Sequence, residues 1–460
     1  MASGPVLILI LILSIGFIIL ATARLKVHPF IVLITTCFLV ALAAGMPLDK
    51  IGETIGEGFG SILGNIGMVI VLGTIIGTIL EKSGAAIKLA DMVLKITGRK
   101  KPGLGLSLIG YIVSIPVFCD SAYVILSSLK RSIIHKTGKP AVMMSVALAT
   151  GLYASHTLVP PTPGPLAAAG NLGMTKQLGL VILFGLGISL ITMYAGNLWA
   201  SYSGKKHQSG EDTEKPELDH SEIEKHYGKL PSGFKTLAPI FIPIVLIALG
   251  SIGDLPGKPL GEGSTYRTIT FLGYPMNALF IGFLFSLLLL PKFTRETLSD
   301  WIGKGIQSAG PIIIITGAGA AFGNVLQTTQ IGENLGQALS DYHLGIFLPF
   351  IIAAALKTAQ GSSTVALVTA SALVAPLLPG LGLESSLGRT LAVMAVGAGA
   401  MTVSHANDSF FWVVNQFSKM DVATSCKTFS IATLVQGIVT VMVIYMLYLF
   451  LPLQKNLLIP

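Results

Sequence analysis

Two polar breaks interrupt stretches of the chain that are otherwise apolar enough to cross a bilayer. The first is Ala154–Pro165, which reads ASHTLVPPTPGP, and the second is Val403–Trp412, which reads VSHANDSFFW. The prolines of the first break cannot continue a helix, because proline lacks the backbone N–H and its ring clashes with the preceding turn. Broken backbone at membrane depth is tolerated only where it faces protein or a wet cavity. A matched pair of such breaks in two halves of one chain indicates the substrate site of a transporter.

The composition agrees with a membrane protein. Only 11% of the residues are charged and the mean hydropathy is +0.76, whereas a soluble protein carries about a quarter charged residues. The apolar runs reach roughly 20 residues, the length that spans the hydrocarbon core. We therefore predict an all-α polytopic membrane protein. The net charge of +8 is scattered over loops, which argues against nucleic-acid binding. Three isolated cysteines predict neither a disulfide framework nor a metal site, and no motif predicts a cofactor.

The same order of parts occurs twice along the chain. Each half has a Gly-rich span, an apolar segment with a polar middle, a broken span and a final span. The polar middles, Pro116–Ser121 and Lys357–Thr364, predict the tips of two re-entrant hairpins. We interpret the pattern as an internal duplication. With the Arg24–Lys26 loop placed in the cytoplasm, the two hairpins open from opposite sides, so the repeats are predicted to be inverted. Most of the 30 Lys and Arg residues then lie on the cytoplasmic side, as the positive-inside rule requires.

These parts define the predicted domain boundaries. The chain is divided into N-terminal scaffold spans (1–46), repeat 1 (47–203, with a hairpin at 99–139, a broken span at 140–173 and a span at 176–200), a cytoplasmic linker (204–233), connecting spans (234–291) and repeat 2 (292–460, with a span at 309–327, a hairpin at 345–379, a broken span at 389–417 and a final span at 425–451).

Lys357 is the most informative charged residue, because it lies in the tip of the second hairpin between apolar segments. A buried ammonium costs at least about 2.5–3.5 kcal/mol at the centre of a membrane. An anionic substrate would offset that cost, and so would Asp408 or helix C-terminal carbonyls. The residues after Lys357 would either bind a carboxylate through free N–H groups at a helix N-terminus or simply cap that helix. These substrate-binding candidates are Gly361, Ser362, Ser363 and Thr364; Gln360, just before them, is a candidate for hydrogen bonding to a substrate hydroxyl.

Two carboxyl groups and two histidines are candidates for proton coupling. Asp120 lies in the first hairpin tip and Asp408 in the second break, and an ionisable group inside a membrane protein indicates function. Either would take up a proton or accept hydrogen bonds from sugar hydroxyls; the alternatives are helix capping by Asp120 and a permanent salt bridge from Asp408 to Lys357. His156 and His405 occupy equivalent positions and titrate near neutrality, but duplication would also copy a structural histidine.

Further substrate-binding candidates are polar residues close to the hairpin tips and the breaks. They are Ser121, Ser155, Thr162 and Asn407.

The first break resembles a known family signature. Ser155–Pro165 (SHTLVPPTPGP) is similar to the T-H-G-x-x-P-P-x-P-G-P motif of the gluconate permease (GntP) family of proton symporters. Gly45–Lys50 (GMPLDK), Gly361–Ala366 (GSSTVA) and Ser404–Trp412 (SHANDSFFW) are similar to segments of the same family in the same order, so the resemblance covers essentially the whole chain.

The resemblance implies a bacterial inner-membrane carrier that imports gluconate or a related sugar acid together with a proton. It also implies kinship with the ion-transporter superfamily, whose members pair a scaffold with a transport domain made of two opposed hairpins and two broken helices. Those proteins are usually homodimers that work by an elevator motion. The expected partners are therefore a small organic anion, a proton, the lipid bilayer and a second copy of the chain.

Two positions depart from the family pattern. Lys357 stands where the pattern has Arg, and Arg grips a carboxylate through two N–H groups whereas Lys offers a point charge. Cys119, Asp120 and Ser121 stand where the pattern has Glu near an aromatic residue. Both departures leave open glycerate, a hexuronate or D-serine as the substrate.

Three other functions remain as alternatives. The same fold would serve a sodium-coupled carboxylate carrier. An intramembrane enzyme is disfavoured because no nucleophile–base or metal spacing is visible. A channel would differ from a carrier in its rates.

Overall fold

The computed structural model describes residues 4–89, 92, 101–212, 230–253, 261–329, 345–405 and 408–450, and every regular element in these ranges is a helix. Within these ranges, five helices are long and apolar enough to cross a membrane, or up to seven if each of two bent pairs is one span. Because a helix needs about 20 apolar residues to span a bilayer, the chain is a multi-pass membrane protein.

The helices before the centre of the chain include both arms of the first predicted hairpin and the first broken span. They are α1 (Gly4–Ala23), α2 (Pro29–Ala43), α3 (Leu48–Ile62), α4 (Met68–Lys82), α5 (Pro102–Val113), α6 (Cys119–Thr137), α7 (Ala141–Leu158), α8 (Pro163–Asn171) and α9 (Leu178–Ser203).

The helices after the centre follow a similar order. They are α10 (Gly233–Gly253), α11 (Ser264–Gly273), α12 (Pro275–Ser286), α13 (Trp301–Thr328), α14 (Phe347–Gln360), α15 (Ser363–Val374), α16 (Ser386–Met401), α17 (Ser409–Phe417) and α18 (Val422–Phe450).

The break between α7 and α8 is stabilised by its own side chains. Helix α7 ends at Leu158, two residues before Pro160, and α8 begins with Pro163 at its first position, where the missing N–H costs nothing. The hydroxyl of Thr162 lies 2.6 Å from the carbonyl oxygen of Val159 and 3.1 Å from that of His156. These carbonyls would otherwise be unpaired at the helix end.

The break between α14 and α15 depends on a glycine. Gly361 has a φ of 89°, a conformation that residues with a Cβ rarely adopt. Ser362 then caps α15, because its hydroxyl oxygen accepts a hydrogen bond from the backbone N–H of Val365 at 3.3 Å. The chain therefore turns sharply at the tip and starts a new helix at once.

Two groups of helices pack along a common surface. Helix α13 packs on α2, α3 and α4, whereas the broken spans pack on the predicted hairpins, α7 on α5 and α16 on α14. Helices α8 and α15 contact each other and also α13. Small residues bring the helices of the first group close together; a Cβ built on Gly58 would lie 2.8 Å from the Cα of Ala321. The surface between the two groups runs along α13.

The first part of the predicted linker at 204–233 packs against the helices. Helix α9 continues to Ser203, and two short 3₁₀ turns follow up to Asp212. Glu211 is only 2% exposed and forms a 2.9 Å ion pair with Lys130 of α6. A buried ion partner holds this polar segment against the helices, which the polar composition alone did not indicate. Residues 213–229 lie outside the described part of the chain, and α10 begins at Gly233.

Candidate functional site

The second hairpin tip and the second break are joined by an ion pair. The Nζ atom of Lys357, at the end of α14, lies 2.6 Å from Oδ2 of Asp408, and the two side chains are 0% and 4% exposed. Asp408 is the N-cap of α17, where its Oδ1 accepts the backbone N–H of Phe410 at 3.1 Å. The pair therefore ties the start of one short helix to the end of another.

Both members of this pair have further partners. Ser404 donates its hydroxyl to Oδ2 of Asp408, and Lys357 donates to the carbonyl oxygen of Gly361. The hydroxyl of Tyr153 approaches Oδ2 at 3.5 Å, and the Tyr153 ring centre lies 5.7 Å from Nζ of Lys357. A buried ion pair is tolerated when its remaining hydrogen-bonding groups are satisfied, and this pair meets that condition.

A cavity of about 390 Å³ lies beside the ion pair. Its size is that of a small-molecule site. One wall is formed by the tip of the first hairpin, the start of α15 and the start of α17, and the other wall is formed by α13. The residues that line it are Phe118, Cys119, Asp120, His156, Ser308, Pro311, Ile312, Ile315, Ser362, Ser363, Thr364, Val365, Val368, Asp408, Ser409 and Phe410.

Three helices begin at this cavity. The first residues of α6 (Cys119), α15 (Ser363) and α17 (Ser409) all line it. The first N–H groups of a helix have no partner inside the helix, and the helix dipole places a partial positive charge there. Three such ends around one cavity favour an anionic ligand.

Two polar atoms at the cavity have no partner among the described residues. They are Oδ1 of Asp120 and Nδ1 of His156. His156 is 3% exposed and its ring lies 5.9 Å from the ring of Phe118. The other carboxylate oxygen of Asp120 accepts the hydroxyl of Ser409 at 3.3 Å. Buried polar atoms normally have hydrogen-bond partners, so these two are available to a ligand.

The other predicted site residues fall into two groups. Ser362, Ser363 and Thr364 line the cavity. Lys357 itself does not line it but contacts Asp408, which does. The other described candidates also lie away from the cavity lining. The hydroxyl of Ser155 lies 3.4 Å from the Leu152 carbonyl oxygen, and Nε2 of His405 lies 3.1 Å from the Thr358 carbonyl oxygen. The Thr162 hydroxyl bonds within the first break, and Gly361 forms the turn at the tip. The side chains of Ser121 and Gln360, and the whole of Asn407, lie outside the described structure.

Sequence reasoning missed several residues of the site. Tyr153 belongs to an apolar helix and packs on Phe410, with ring centres 5.3 Å apart. Phe118 and Ser409 lie inside the predicted tip Pro116–Ser121 and the second break, but neither was a site candidate. Ser308 and Pro311 are contributed by α13, whose polar residues formed no motif. The two breaks identified one wall of the cavity, and nothing in the sequence indicated which helix would form the other.

A metal site is not visible in the described ranges. No three His, Cys, Asp or Glu side chains there lie close enough together to hold an ion. The three cysteines, Cys37, Cys119 and Cys426, are free thiols.

Comparison with known proteins identifies relatives along almost the whole chain. The sequence model of the GntP family of permeases matches residues 6–450. An uncharacterised permease of Haemophilus influenzae is 34% identical over 93% of this chain and 89% of its own length. A gluconate permease of Pseudomonas aeruginosa is 31% identical over 96% of this chain and 97% of its own length. A D-serine transporter of Escherichia coli K12 is 32% identical over 93% of this chain and 95% of its own length. These relatives are permeases and transporters rather than enzymes.

Two solved structures share the fold. The YdaH transporter of Alcanivorax borkumensis has a TM-score of 0.67 at 14% identity and covers 93% of this chain and 100% of its own. MtrF of Neisseria gonorrhoeae has a TM-score of 0.66 at 16% identity and covers 93% of this chain and 96% of its own. At these identities the likeness concerns the fold alone.

Proposed function

Because the chain belongs to the GntP family of permeases, we propose that it imports gluconate or a related small hydroxy-carboxylate together with a proton. The protein would act as a secondary active transporter in the bacterial inner membrane. The predicted resemblance to this family is confirmed; the substrate and the coupling ion are the proposal. Gluconate is named by relatives that share about a third of the sequence over nearly the full length.

The observation that carries this proposal is the cavity at the three helix starts. Its N–H groups and hydroxyls, at Cys119, Ser363, Thr364 and Ser409, suit a carboxylate and neighbouring hydroxyls. The ion pair of Lys357 with Asp408 has no net charge, so the helix ends provide most of the attraction for the anion. Lys357 would then act from behind the cavity wall, by holding Asp408 and the tip of α14 in place.

The same cavity supports an elevator mechanism. It lies between α13 on one side and the hairpin tips and broken spans on the other. We propose that the hairpins and broken spans form a transport domain, related as inverted repeats, which slides along α13 with the bound anion. Helices α2 to α4 and α10 to α13 would then be the scaffold, and a homodimer of scaffolds would anchor it in the bilayer.

D-serine is a second candidate substrate, favoured by one specific contact. A D-serine transporter is 32% identical to this chain, and the unpartnered Oδ1 of Asp120 would accept a hydrogen bond from an ammonium group as well as from a hydroxyl. Gluconate would place a hydroxyl at the same atom.

Uptake into proteoliposomes tests the proposal. Labelled gluconate, glycerate, glucuronate and D-serine would be offered in turn under an inward proton gradient, with a protonophore and with an inward sodium gradient at fixed pH as controls. Accumulation of gluconate that the protonophore abolishes is the expected result. Accumulation of another acid in place of gluconate would change the substrate assigned to the protein. Accumulation only under the sodium gradient would overturn proton coupling.

A further inference from the structure

Asp120 is a carboxylate at the cavity with no cation beside it among the described residues. Its Oδ2 accepts the hydroxyl of Ser409, and its Oδ1 has no partner. The titratable and charged groups that face it are Cys119 of its own helix, His156 and Tyr153 of α7, Lys357 of α14 and Asp408 at the start of α17. The one cation of this set, Lys357, is bonded to Asp408.

An anionic substrate would add a second unbalanced negative charge to the same cavity. The ion pair of Lys357 and Asp408 contributes no net charge, so a bound carboxylate and the Asp120 carboxylate would face each other without a cation between them. Two like charges close together in a poorly solvated site repel strongly, and such carboxylates share protons rather than both remaining ionised. One proton on Asp120 removes the conflict.

The other candidates for the proton fit less well. Protonation of Asp408 would leave the fully buried ammonium of Lys357 unpaired, which is strongly destabilising. Protonation of His156 would create a new charge on a side chain that is only 3% exposed, whereas protonation of Asp120 removes one. His405 is not part of the cavity lining.

We propose that Asp120 binds the cotransported proton, on Oδ1, and that the proton and the anion are coupled because they share one cavity. Each lowers the electrostatic cost of binding the other, and the coupling is therefore reciprocal. The protonated carboxyl would also donate a hydrogen bond to a hydroxyl of the substrate. This inference rests on the proposed function, because it assumes that the transported molecule is an anion.

The test separates coupling from transport. Asp120→Asn keeps the shape of the side chain but cannot ionise. In proteoliposomes with equal pH on both sides, the variant should still exchange internal unlabelled gluconate for external labelled gluconate, and the exchange rate should no longer depend on pH. Under an inward proton gradient it should accumulate no more gluconate than it does without the gradient. Asp49→Asn is the matched control, since Asp49 is exposed at the start of α3, and it should accumulate gluconate like the wild type.

Two outcomes would overturn the assignment. Gradient-driven accumulation by Asp120→Asn would place the proton on another group, and so would exchange by this variant that keeps the pH dependence of the wild type. Loss of exchange in a folded, monodisperse variant would leave the decision to Asp120→Glu. If Asp120→Asn does not fold, Asp120→Glu decides, because a titratable carboxyl at this position must retain the gradient response and its absence would contradict the proposal. Failure of the wild type to take up any anion would instead remove the proposed function itself.

Discussion

Lys357 and Asp408 are 51 residues apart in the sequence and form a 2.6 Å ion pair. The pair connects the tip of the second predicted hairpin to the second broken span, and Asp408 also caps α17 and lines the cavity. One contact therefore links the stability of the tip to the shape of the site.

Removing Asp408 should destabilise the protein more than removing both partners. In Asp408→Ala the ammonium of Lys357 stays buried without a counter-ion, and such a loss costs about 3–5 kcal/mol. The double variant Lys357→Met with Asp408→Leu has no buried charge and should recover most of that loss while transporting nothing. Thermal unfolding of the purified proteins in detergent measures both effects. Equal unfolding temperatures for the single and double variants would show that the pair has little energetic importance.

Lys357→Gln should abolish anion uptake while the protein still inserts in the membrane, because Asp408 then loses its counter-ion. Lys357→Arg keeps a cation beside Asp408, and we expect it to retain part of the wild-type rate, since the guanidinium is larger and has a fixed planar geometry. Uptake by both variants, normalised to the amount of protein in the membrane, makes the comparison. Wild-type uptake by Lys357→Gln would contradict the role given to the pair.

Glu211 should be important for stability although it lies in a polar segment. It forms a 2.9 Å ion pair with the fully buried Lys130, so Glu211→Ala should cost about 3–5 kcal/mol by leaving that ammonium unpaired. The matched variant is Arg131→Gln. Arg131 is one-third exposed and lies 3.7 Å from the same carboxylate, and its loss should cost less than about 1 kcal/mol. A denaturation series on both variants tests the difference, and similar costs would refute it.

Gly361→Ala should impair transport and stability together. The φ of 89° at this residue places an added Cβ in a strained conformation that costs about 1–3 kcal/mol, and the carbonyl of Gly361 is also a partner of Lys357. Gly52→Ala is the control, because an added Cβ there meets nothing within 4 Å and an alanine in a helix interior gains about 0.5–1 kcal/mol. The unfolding temperature should fall for Gly361→Ala and rise for Gly52→Ala. Uptake should fall for Gly361→Ala and stay unchanged for Gly52→Ala. If Gly361→Ala leaves the unfolding temperature and the uptake unchanged, the tip accommodates a Cβ at this position and the prediction is wrong.

Much of the site could be predicted from local signals. The prolines that end α7 and the glycine that ends α14 are visible in the sequence, so the first break and the tip at Lys357 could be located without coordinates. The second break was marked instead by Ser404, His405 and Asp408 within an apolar stretch. The partner of Lys357 could not be chosen, because an anionic substrate and Asp408 offset the same charge. The structure shows Asp408 in that place.

Other features depended on contacts between distant segments. In the sequence, Lys130 belongs to a basic segment at the end of the first hairpin, and Glu211 belongs to the polar linker. Their ion pair forms only because α6 packs beside the segment after α9. Tyr153 is one of many apolar or aromatic residues of a buried helix, and its position against Asp408 and Phe410 depends on how α7 and α17 meet. Helix ends are encoded locally, whereas these neighbours follow from packing.

The most direct test of the account is whether gluconate carries protons into vesicles. Proteoliposomes loaded with a pH-sensitive dye would receive external gluconate at equal starting pH on both sides. We expect acidification inside vesicles that contain the wild type, and gluconate entry without acidification for Asp120→Asn. Gluconate entry through the wild type with no change of internal pH would contradict it.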